Sequence, residues 1–287
     1  MTFVATTTNS AVAWRPDTTA FAPEDVVGDA LILQCSTVAG TIDGDAPSVR
    51  VAYVTDDEAD FQYEAYDIAE NEPTLSEVLV QTGKIAMLVR LSNEQWGQQG
   101  TAEQLAQSVG RAVVRKADKA FLQQEPPNLP IPAPPIGLVY TPGILTGTDP
   151  INASLDALID LVARLESNLS TPSHILIDPL GWSELRKLKI GVDFNSTLLG
   201  AGTSDTIPML LGLPVIVTPA MPTYSGLIVD RRAVVSAVGR VNVSVSTDRY
   251  FESDSVALRC TWRIGSALVR PERIGLFAIT PTYAPGS

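Results

Sequence analysis

Hydrophobic and polar residues alternate in two stretches that lie on either side of a long acidic segment. Val49, Val51 and Tyr53 alternate with polar positions, and the alternation resumes over residues 77–92. A period of two predicts β-strands with one buried face. The segment between these strands contains the carboxylates of Asp56, Asp57, Glu58, Asp60, Glu64, Asp67, Glu70 and Glu72. Since an isolated two-stranded ribbon is only marginally stable, the pattern predicts either a surface hairpin or an arm that reaches over a neighbouring subunit.

A helical period runs from Thr101 to about Gln124. Thr101 can cap this helix, and Gln104 can complete a capping box. Its apolar positions keep helical spacing and comprise Leu105, Val109, Ala112, Val113, Ala120 and Phe121. Its other faces carry the cations Arg111, Arg115, Lys116 and Lys119. At about 1.5 Å per residue the helix would be roughly 36 Å long, so it can form the backbone of a domain.

Three stretches lack a regular period. Residues 1–25 predict an extended arm that cannot bury itself. Residues 36–47 predict a loop built on Gly40 and Gly44. The proline-rich stretch 125–147 predicts an extended crossing segment between two lobes.

The remaining sequence predicts helices and strands in mixed order. A helix is expected at 154–169, and a second one follows Asp178, which can act as its N-cap with Pro179 at the first helical position. Short apolar or alternating runs predict strands at 174–177, 225–229, 234–238, 241–246, 256–263 and 274–279. This mixture indicates the α+β class.

The overall composition is that of a globular protein, since 45% of the 287 residues are hydrophobic and 18% are charged. The formal net charge is -12, and no run of lysine and arginine forms a basic stripe. Proteins that bind nucleic acid directly draw their affinity from such stripes, so direct DNA recognition is disfavoured. The start of the chain lacks the pattern of a signal peptide, and no apolar stretch reaches the roughly 20 residues of a membrane-spanning helix.

Residues that could carry catalysis are sparse. His174 is the single histidine and is expected to be a core or edge imidazole. Cys35 and Cys260 are expected to be reduced and buried. No Gly-x-Ser-x-Gly elbow is present, and Gly200-Ala201-Gly202 lacks the third glycine of a dinucleotide-binding motif. The sequence therefore predicts no catalytic, cofactor-binding or metal-binding residues, while an α+β enzyme with an unrecognised site stays open as an alternative.

Several of these segments occur in an order that one protein family shares. The acidic segment runs into the strand at 84–92, and the long helix contains Ala117-Asp118-Lys119-Ala120-Phe121-Leu122. The helix opened by Asp178-Pro179 precedes Leu211-Gly212-Leu213-Pro214-Val215, and residues 226–230, 241–246 and 251–263 complete the series. In this order the chain resembles the major capsid proteins of tailed phages, whose fold is shared by encapsulin compartments.

The resemblance implies a Hong Kong 97-type capsid fold of the α+β class with four parts. They are an N-terminal arm (1–33), an extended two-stranded loop (34–92), a peripheral domain with a long spine helix (93–124 and 239–265) and a mixed α/β axial domain (125–238 and 266–287). The implied function is that of a major capsid protein whose copies form pentamers and hexamers and enclose the phage genome in an icosahedral shell. An encapsulin-like shell around protein cargo is the alternative.

The resemblance also implies partners and a location. The expected partners are copies of the same chain, and separate scaffolding, portal and decoration proteins stay open. Packaged DNA is expected to be enclosed without sequence-specific binding, in a virion capsid assembled in the host bacterial cytoplasm, with no membrane and no cofactor. Because the arm starts almost at Met1, scaffolding would be separate or unnecessary, or the chain is already mature. No lysine lies between Asp56 and Glu72, so no covalent crosslink between subunits is expected.

Charge indicates which surfaces meet between subunits, because acidic groups seek basic partners. The acidic contact candidates are Asp56, Asp57, Glu58, Asp60, Glu64, Asp67 and Glu70. The basic candidates, on the long helix of a neighbour, are Arg111, Arg115, Lys116 and Lys119.

Overall fold

The computed structural model describes residues 18–21, 27–42, 44, 46–54, 75–98, 101–126, 134–189, 197–199 and 208–281. The α-helices in these ranges are α1 (Leu31–Gln34), α2 (Asn93–Trp96), α3 (Thr101–Gln123), α4 (Asp156–Ser167) and α5 (Pro179–Lys187). None of these described helices is long and apolar enough to cross a membrane.

The described strands form two sheets. In chain order they are β1 (Thr18–Phe21), β2 (Thr37–Ile42), β3 (Ser48–Val54), β4 (Leu75–Ser92), β5 (Leu145–Thr146), β6 (His174–Ile177), β7 (Met209–Leu210), β8 (Leu213–Val217), β9 (Ser225–Val229), β10 (Val234–Gly239), β11 (Val241–Tyr250), β12 (Ser255–Leu268) and β13 (Gly275–Ala278). Helices and strands are mixed along the chain, as the sequence predicts.

β12 is the central strand of the larger sheet. It pairs antiparallel with β4 on one side and with β11 and then β10 on the other. β1 pairs with β11, and β2 runs parallel to β10. β3 pairs with residues 75–81, the first part of β4. The smaller sheet has the order β5-β13-β9-β6-β8-β7, in which β6 runs parallel to β8 and antiparallel to β9.

The main hydrophobic core lies between α3 and the two sheets. Val113 and Phe121 of α3 belong to the same buried cluster as Trp262 of the larger sheet and Leu176 of the smaller sheet. The other face of the smaller sheet forms a second core beneath α4 and α5. This second core contains Leu158, Leu161, Leu165, Ile175, Ile177, Leu185, Ile228 and Phe277.

The start of α5 confirms the predicted cap. Asp178 is the N-cap residue, and its Oδ2 accepts hydrogen bonds from the backbone N–H groups of Leu180 (3.1 Å) and Gly181 (3.2 Å). The same oxygen accepts a third bond, of 3.1 Å, from the N–H of Tyr224. Because Tyr224 immediately precedes β9, this carboxyl fixes the helix against the sheet.

The predicted loop at 36–47 is wrong over half of its length, because residues 37–42 form β2. β2 pairs in parallel with β10. Gly40 allows its backbone to pass close to β3, since a Cβ at Gly40 would lie 2.9 Å from Val49 Cγ1. The pairing comes from a distant segment of the chain, and local sequence pattern carries little signal for such a strand.

The predicted N-terminal arm is described only in part. Residues 18–21 are extended, as expected, and pair with β11. Residues around α1 are not extended: they form helical turns in which Leu31 and Ile32 are buried in the main core. This end of the predicted arm is therefore anchored within the chain itself.

Candidate interaction surfaces

The predicted two-stranded ribbon is formed by β3 and β4. Its antiparallel register places Val51 opposite Val78, and an exposed ion pair of 3.5 Å joins Arg50 to Glu77 across the strands. β4 has 18 residues. Its residues 75–81 pair with β3, and its residues 82–92 pair with β12. One strand thus connects the ribbon to the larger sheet.

The acidic contact candidates lie outside the described residues. Asp56, Asp57, Glu58, Asp60, Glu64, Asp67 and Glu70 all belong to the segment 55–74, which connects β3 to β4. The strands on either side of this segment are as predicted. The contacts of its carboxylates stay a prediction.

The basic contact candidates lie on the exposed side of α3. They are Arg111, Arg115, Lys116 and Lys119. The opposite side of the helix is buried through Val109, Val113 and Phe121, which confirms the predicted apolar face. None of the four cations forms an ion pair with a carboxylate in the described part of the chain. Their pairing with the acidic segment stays a prediction.

Asp118 is a carboxyl on α3 whose role sequence reasoning missed. Its Oδ1 accepts a hydrogen bond of 2.8 Å from the backbone N–H of Leu31, at the start of α1. Burial raises the pKa of Asp118 to about 6; the Leu31 N–H opposes this shift, and the charge of Asp29 adds to it. The sequence feature that could have indicated this role is the position of Asp118 next to Ala117, which is buried in the apolar face of the helix.

The sheet face that points away from α3 carries cations that sequence reasoning also missed. Cross-strand pairing places Arg259 opposite Leu88, and Arg90 opposite Ala257. Directly opposed residues in an antiparallel pair share one face. The intervening positions of β4 are Ile85, Met87 and Val89, and they pack on the main core together with residues of α3. Arg90 and Arg259 are therefore on the outer face, and both are exposed.

Two arginines of this outer face flank an aromatic ring. The guanidinium carbon of Arg90 lies 4.7 Å from the centroid of the Tyr250 ring, and that of Arg249 lies 5.5 Å from it. Both distances are within the range of cation–π contact. The ring therefore holds two cations close together at the end of β11.

Two depressions open next to these cations. One has a volume of about 320 Å³ and is lined by Leu88, Ser244, Ser246, Arg249, Ala257 and Arg259. The other has a volume of about 860 Å³ and lies between β4, α3 and the prolines 134 and 135, with Lys84, Lys116 and Arg263 among its lining residues. The predicted contact residue Lys116 is thus close to cations of the larger sheet.

The described residues offer little for catalysis. Burial, and secondarily the charge of Asp118, raises the pKa of the Cys35 thiol to about 12, and burial also raises the pKa of Cys260. Both thiols are free and buried, so they are poor nucleophiles at neutral pH. Burial and then the charge of Arg231 lower the pKa of His174. Within the described part of the chain no three histidine, cysteine or carboxylate side chains come together as a metal site.

A family model and several solved structures match this chain over most of its length. The model of the phage capsid family matches residues 26–278. The chain belongs to the phage capsid family. The predicted resemblance and the predicted function of a major capsid protein are confirmed by this match. No curated protein matches the sequence.

The solved structures that resemble this capsid protein are themselves capsids and particles. The capsid of an empty GTA particle has a TM-score of 0.67 at 16% identity, over 96% of this chain and 98% of that chain. Gordonia phage Cozz gives 0.64 at 14% identity, over 93% and 89%. A virus-like particle from Pyrococcus furiosus gives 0.57 at 18% identity, over 88% and 94%. These likenesses confirm the predicted Hong Kong 97-type capsid fold.

The comparisons also bear on the alternatives. The interpretation as an encapsulin-like shell is no better supported than the interpretation as a phage capsid, because the matching family model is that of phage capsids. Membership of this family makes the chain a structural shell protein of a virion capsid. The enzyme alternative receives no support from these matches.

Proposed function

We propose that copies of this capsid protein join as pentamers and hexamers and close an icosahedral shell around a phage genome. The observation that carries the proposal is the ribbon of β3 and β4. One of its rows packs within the chain, where Val49, Val51 and Val80 join a cluster with residues of β10. The opposite row is open, and its Leu79 is 53% exposed. A neighbouring copy against this open row would cover it.

The proposed contact is heterologous, since the ribbon of one copy meets a different surface on the next copy. Contacts of this kind close into rings when the rotation between copies returns to the start. Rings of five and six copies are the pentamers and hexamers of the shell. Their overlapping ribbons hold adjacent copies together.

The proposed domains follow the two sheets. The peripheral domain (93–124 and 239–265) is built on the larger sheet with α3 as its spine, and the axial domain (125–238 and 266–287) on the smaller sheet with α4 and α5. The arm (1–33) and the extended loop (34–92) connect copies. β10 pairs with β12 and β2 of the larger sheet, so the boundary on that side is better placed before Val234.

The genome is proposed to be enclosed rather than recognised. A net charge of -12 disfavours tight binding of phosphates, which suits a container whose contents must be released. Separate scaffolding, portal and decoration proteins are the further proposed partners, and assembly is proposed to take place in the host cytoplasm. The proposed role needs no catalytic step, metal or cofactor.

Electron microscopy of the purified chain, after gel filtration, tests this function. We expect closed shells, or rings with five-fold and six-fold symmetry, either from the chain alone or with a scaffolding protein. A chain that stays monomeric under both conditions would refute the proposal. Shells that enclose protein cargo and no nucleic acid when isolated from the native source would favour the encapsulin-like alternative.

A further inference from the structure

The exposed side of α3 concentrates positive charge in an acidic chain. Arg111, Arg115, Lys116 and Lys119 are all exposed, and we refer to these four residues as the basic stripe. Between residues 104 and 123 the helix has one carboxylate, Asp118, and its Oδ1 accepts a hydrogen bond from the start of α1. Because the whole chain carries a net charge of -12, the basic stripe marks a place where an anionic partner is favoured.

The exposed side of α4 has the opposite charge. It carries three carboxylates and one arginine, which are Asp156, Asp160, Glu166 and Arg164. Exposed helix sides of this chain are therefore not basic in general. The basic stripe is a local feature of α3, and it calls for a local explanation.

The cations of the basic stripe form a row along the helix axis. Arg111, Arg115 and Lys119 are spaced by four residues, so they lie on the same side of the helix at steps of roughly 6 Å. The exposed positions before them, Gln107 and Ser108, are polar. None of the large hydrophobic side chains described for α3 is exposed. This surface is thus a row of charges without an apolar pocket.

Lys116 extends the basic stripe towards the larger sheet. It lines the depression of about 860 Å³ together with Lys84 of β4 and Arg263 of β12. Nη1 of Arg263 donates hydrogen bonds to the carbonyl of Ala46 (3.1 Å) and to Thr82 Oγ1 (2.9 Å), which hold the guanidinium group in place. Two further cations therefore lie beside the stripe.

The phosphates of duplex DNA match a row of cations that has no pocket. DNA carries one negative charge per about 1.7 Å of its axis, so about seven phosphates lie within the roughly 12 Å from Arg111 to Lys119. Phosphate contacts gain their free energy from the release of counterions and need no cavity for a side chain. The acidic segment 55–74 of a neighbouring copy fits less well. Three of its residues are aromatic, and the basic stripe offers no apolar surface on which to bury them.

We infer that the basic stripe faces the interior of the shell and contacts the phosphates of the enclosed DNA, an inference that rests on the proposed shell function. α3 packs on one face of the larger sheet, and Arg90 and Arg259 are exposed on the other. The inference therefore directs the outer face of this sheet away from the DNA. Phosphate contacts carry no sequence information, and the acidic remainder of the chain keeps them loose.

Lysine reactivity tests this orientation. The chain has five lysines, at positions 84, 116, 119, 187 and 189. Shells are assembled from the pure chain with and without short duplex DNA, freed of unbound DNA by gel filtration and treated with N-hydroxysuccinimide acetate. Mass spectrometry then measures the acetylation of each lysine. We expect DNA to lower the acetylation of Lys116 and Lys119 roughly threefold. Lys187 and Lys189, at and after the end of α5, are the internal control and should change little.

Neutralisation of the row is the second test. The variant Arg111→Gln, Arg115→Gln, Lys119→Gln replaces exposed residues by another good helix former, so the unassembled chain should keep its melting temperature and its yield of shells. We expect the number of DNA duplexes enclosed per shell to fall roughly tenfold at low salt, because three phosphate contacts per copy are lost. Added salt should lower this number for the unmodified chain and hardly change it for the variant.

The matched control removes three cations from the outer face of the larger sheet. The variant Arg90→Gln, Arg249→Gln, Arg259→Gln leaves the basic stripe intact, so each of its shells should enclose as much DNA as a shell of the unmodified chain. An equal loss of DNA in both variants would mean that total charge decides how much DNA is enclosed. A loss confined to the control would assign the DNA to the outer face. Either result would overturn the inference.

The remaining outcomes separate this inference from the proposed function. A basic-stripe variant that folds but forms no shells would mean that these cations bind a neighbouring copy, with the acidic segment 55–74 as the candidate. The inference would then fail while the shell function stands. Unchanged acetylation of Lys116 and Lys119 in the presence of DNA has the same consequence. An unmodified chain that never assembles contradicts the proposed function itself.

Discussion

The two sheets of this capsid protein differ in how much of their second face they bury. The smaller sheet is covered on both faces: Ile175 and Ile177 of β6 belong to the core beneath α4 and α5, and Leu176 between them belongs to the main core. In the larger sheet β10 is buried on both faces, but the part formed by β4, β11 and β12 has its hydrophobic core on the face towards α3. On its other face Leu88 and Arg259 are exposed.

The residue pattern of the strands reflects this difference. β6 and β9 are almost continuous apolar runs, His-Ile-Leu-Ile and Ser-Gly-Leu-Ile-Val, as expected for strands buried on both faces. β4 and the middle of β12 alternate in burial, so Lys84, Arg90 and Arg259 reach the surface. The smaller sheet is covered within one chain, whereas the larger sheet leaves part of one face exposed around Arg90 and Arg259. The variants below test this difference between the two sheets in the unassembled chain, where stability can be measured apart from assembly.

The largest expected effect concerns two residues of β12 that point to opposite faces. Trp262 is 1% exposed, and its indole N–H donates a buried hydrogen bond of 2.9 Å to the carbonyl of Gly239. We expect Trp262→Ala to lower the free energy of unfolding by about 4 kcal/mol, because it leaves a cavity and an unpaired carbonyl. Arg259→Ala, the control on the outer face, should change it by less than about 0.5 kcal/mol. Denaturant unfolding measures both, and equal effects would mean that the outer face is also covered within one chain.

A methyl group added inside the smaller sheet should have the next largest effect. A Cβ at Gly226 of β9 would overlap the ring of Phe277 in the neighbouring strand, and Phe277 is 2% exposed. We expect Gly226→Ala to cost about 3 kcal/mol, since the ring has no space to move. At Gly147 the added Cβ would meet its nearest atoms at 3.7 Å, so Gly147→Ala should cost less than about 1 kcal/mol. If both variants unfold at the same denaturant concentration, the tight packing assigned to this sheet is wrong.

The hydrogen bonds of Asp178 provide a smaller test of how the smaller sheet is held to its helix. Its carboxylate accepts bonds from Leu180, Gly181 and Tyr224. We expect Asp178→Ala to lower the free energy of unfolding by about 2 kcal/mol, because the cap of α5 and the link to Tyr224 are lost together. Asp178→Asn keeps an acceptor oxygen and should recover at least half of that loss, measured by the same denaturant titration. An Asn variant as unstable as the Ala variant would mean that the charge, rather than the acceptor, is required.

Local pattern was enough to predict most strands and helices of both regions. Alternation identified the buried row Val256, Leu258, Cys260 and Trp262 of β12, and the cap at Asp178 identified the start of α5. These features depend on neighbours in sequence. β2 was missed because Gly40 and its small neighbours give no local period, and its pairing with β10 is decided by a distant part of the chain.

The cations on the outer face of the larger sheet were missed for a related reason. Arg90 and Arg259 each occupy an ordinary polar position of a correctly predicted strand, and neither position is unusual alone. They come together only because the register of β4 on β12 places Arg90 opposite Ala257 and Arg259 opposite Leu88. Register depends on which strands pair and in what alignment, and the sequence gives no direct signal for either. The cations of α3 were easier to see, since helical spacing groups them within one segment.

Two carboxyls, Asp178, which is buried, and Asp118, which is half-buried, extend the comparison of the two regions to polar groups. Asp178 in the smaller-sheet region accepts three backbone N–H bonds, whereas Asp118 on α3 accepts one, from Leu31. With so little compensation, burial raises the pKa of Asp118 from 3.8 to about 6. The folded chain therefore binds this proton more tightly than the unfolded chain does. The stability that this provides is fully present below about pH 4 and is lost as the pH rises through about 6.

Asp118→Asn should remove this dependence on pH, because the amide keeps an acceptor oxygen for the N–H of Leu31 and carries no charge. At neutral pH we expect the variant to be more stable than the unmodified chain by about 1 kcal/mol, since part of the gain is offset by an amide N–H₂ that needs partners. Denaturant unfolding of the unassembled chain between about pH 4 and pH 7 measures the effect. Asp29→Asn, which changes a neighbouring exposed carboxyl, should leave most of the slope in place. If the Asp118→Asn chain loses stability with rising pH as steeply as the unmodified chain, the proton is bound elsewhere, and the contact between α1 and α3 does not depend on the charge of this carboxyl.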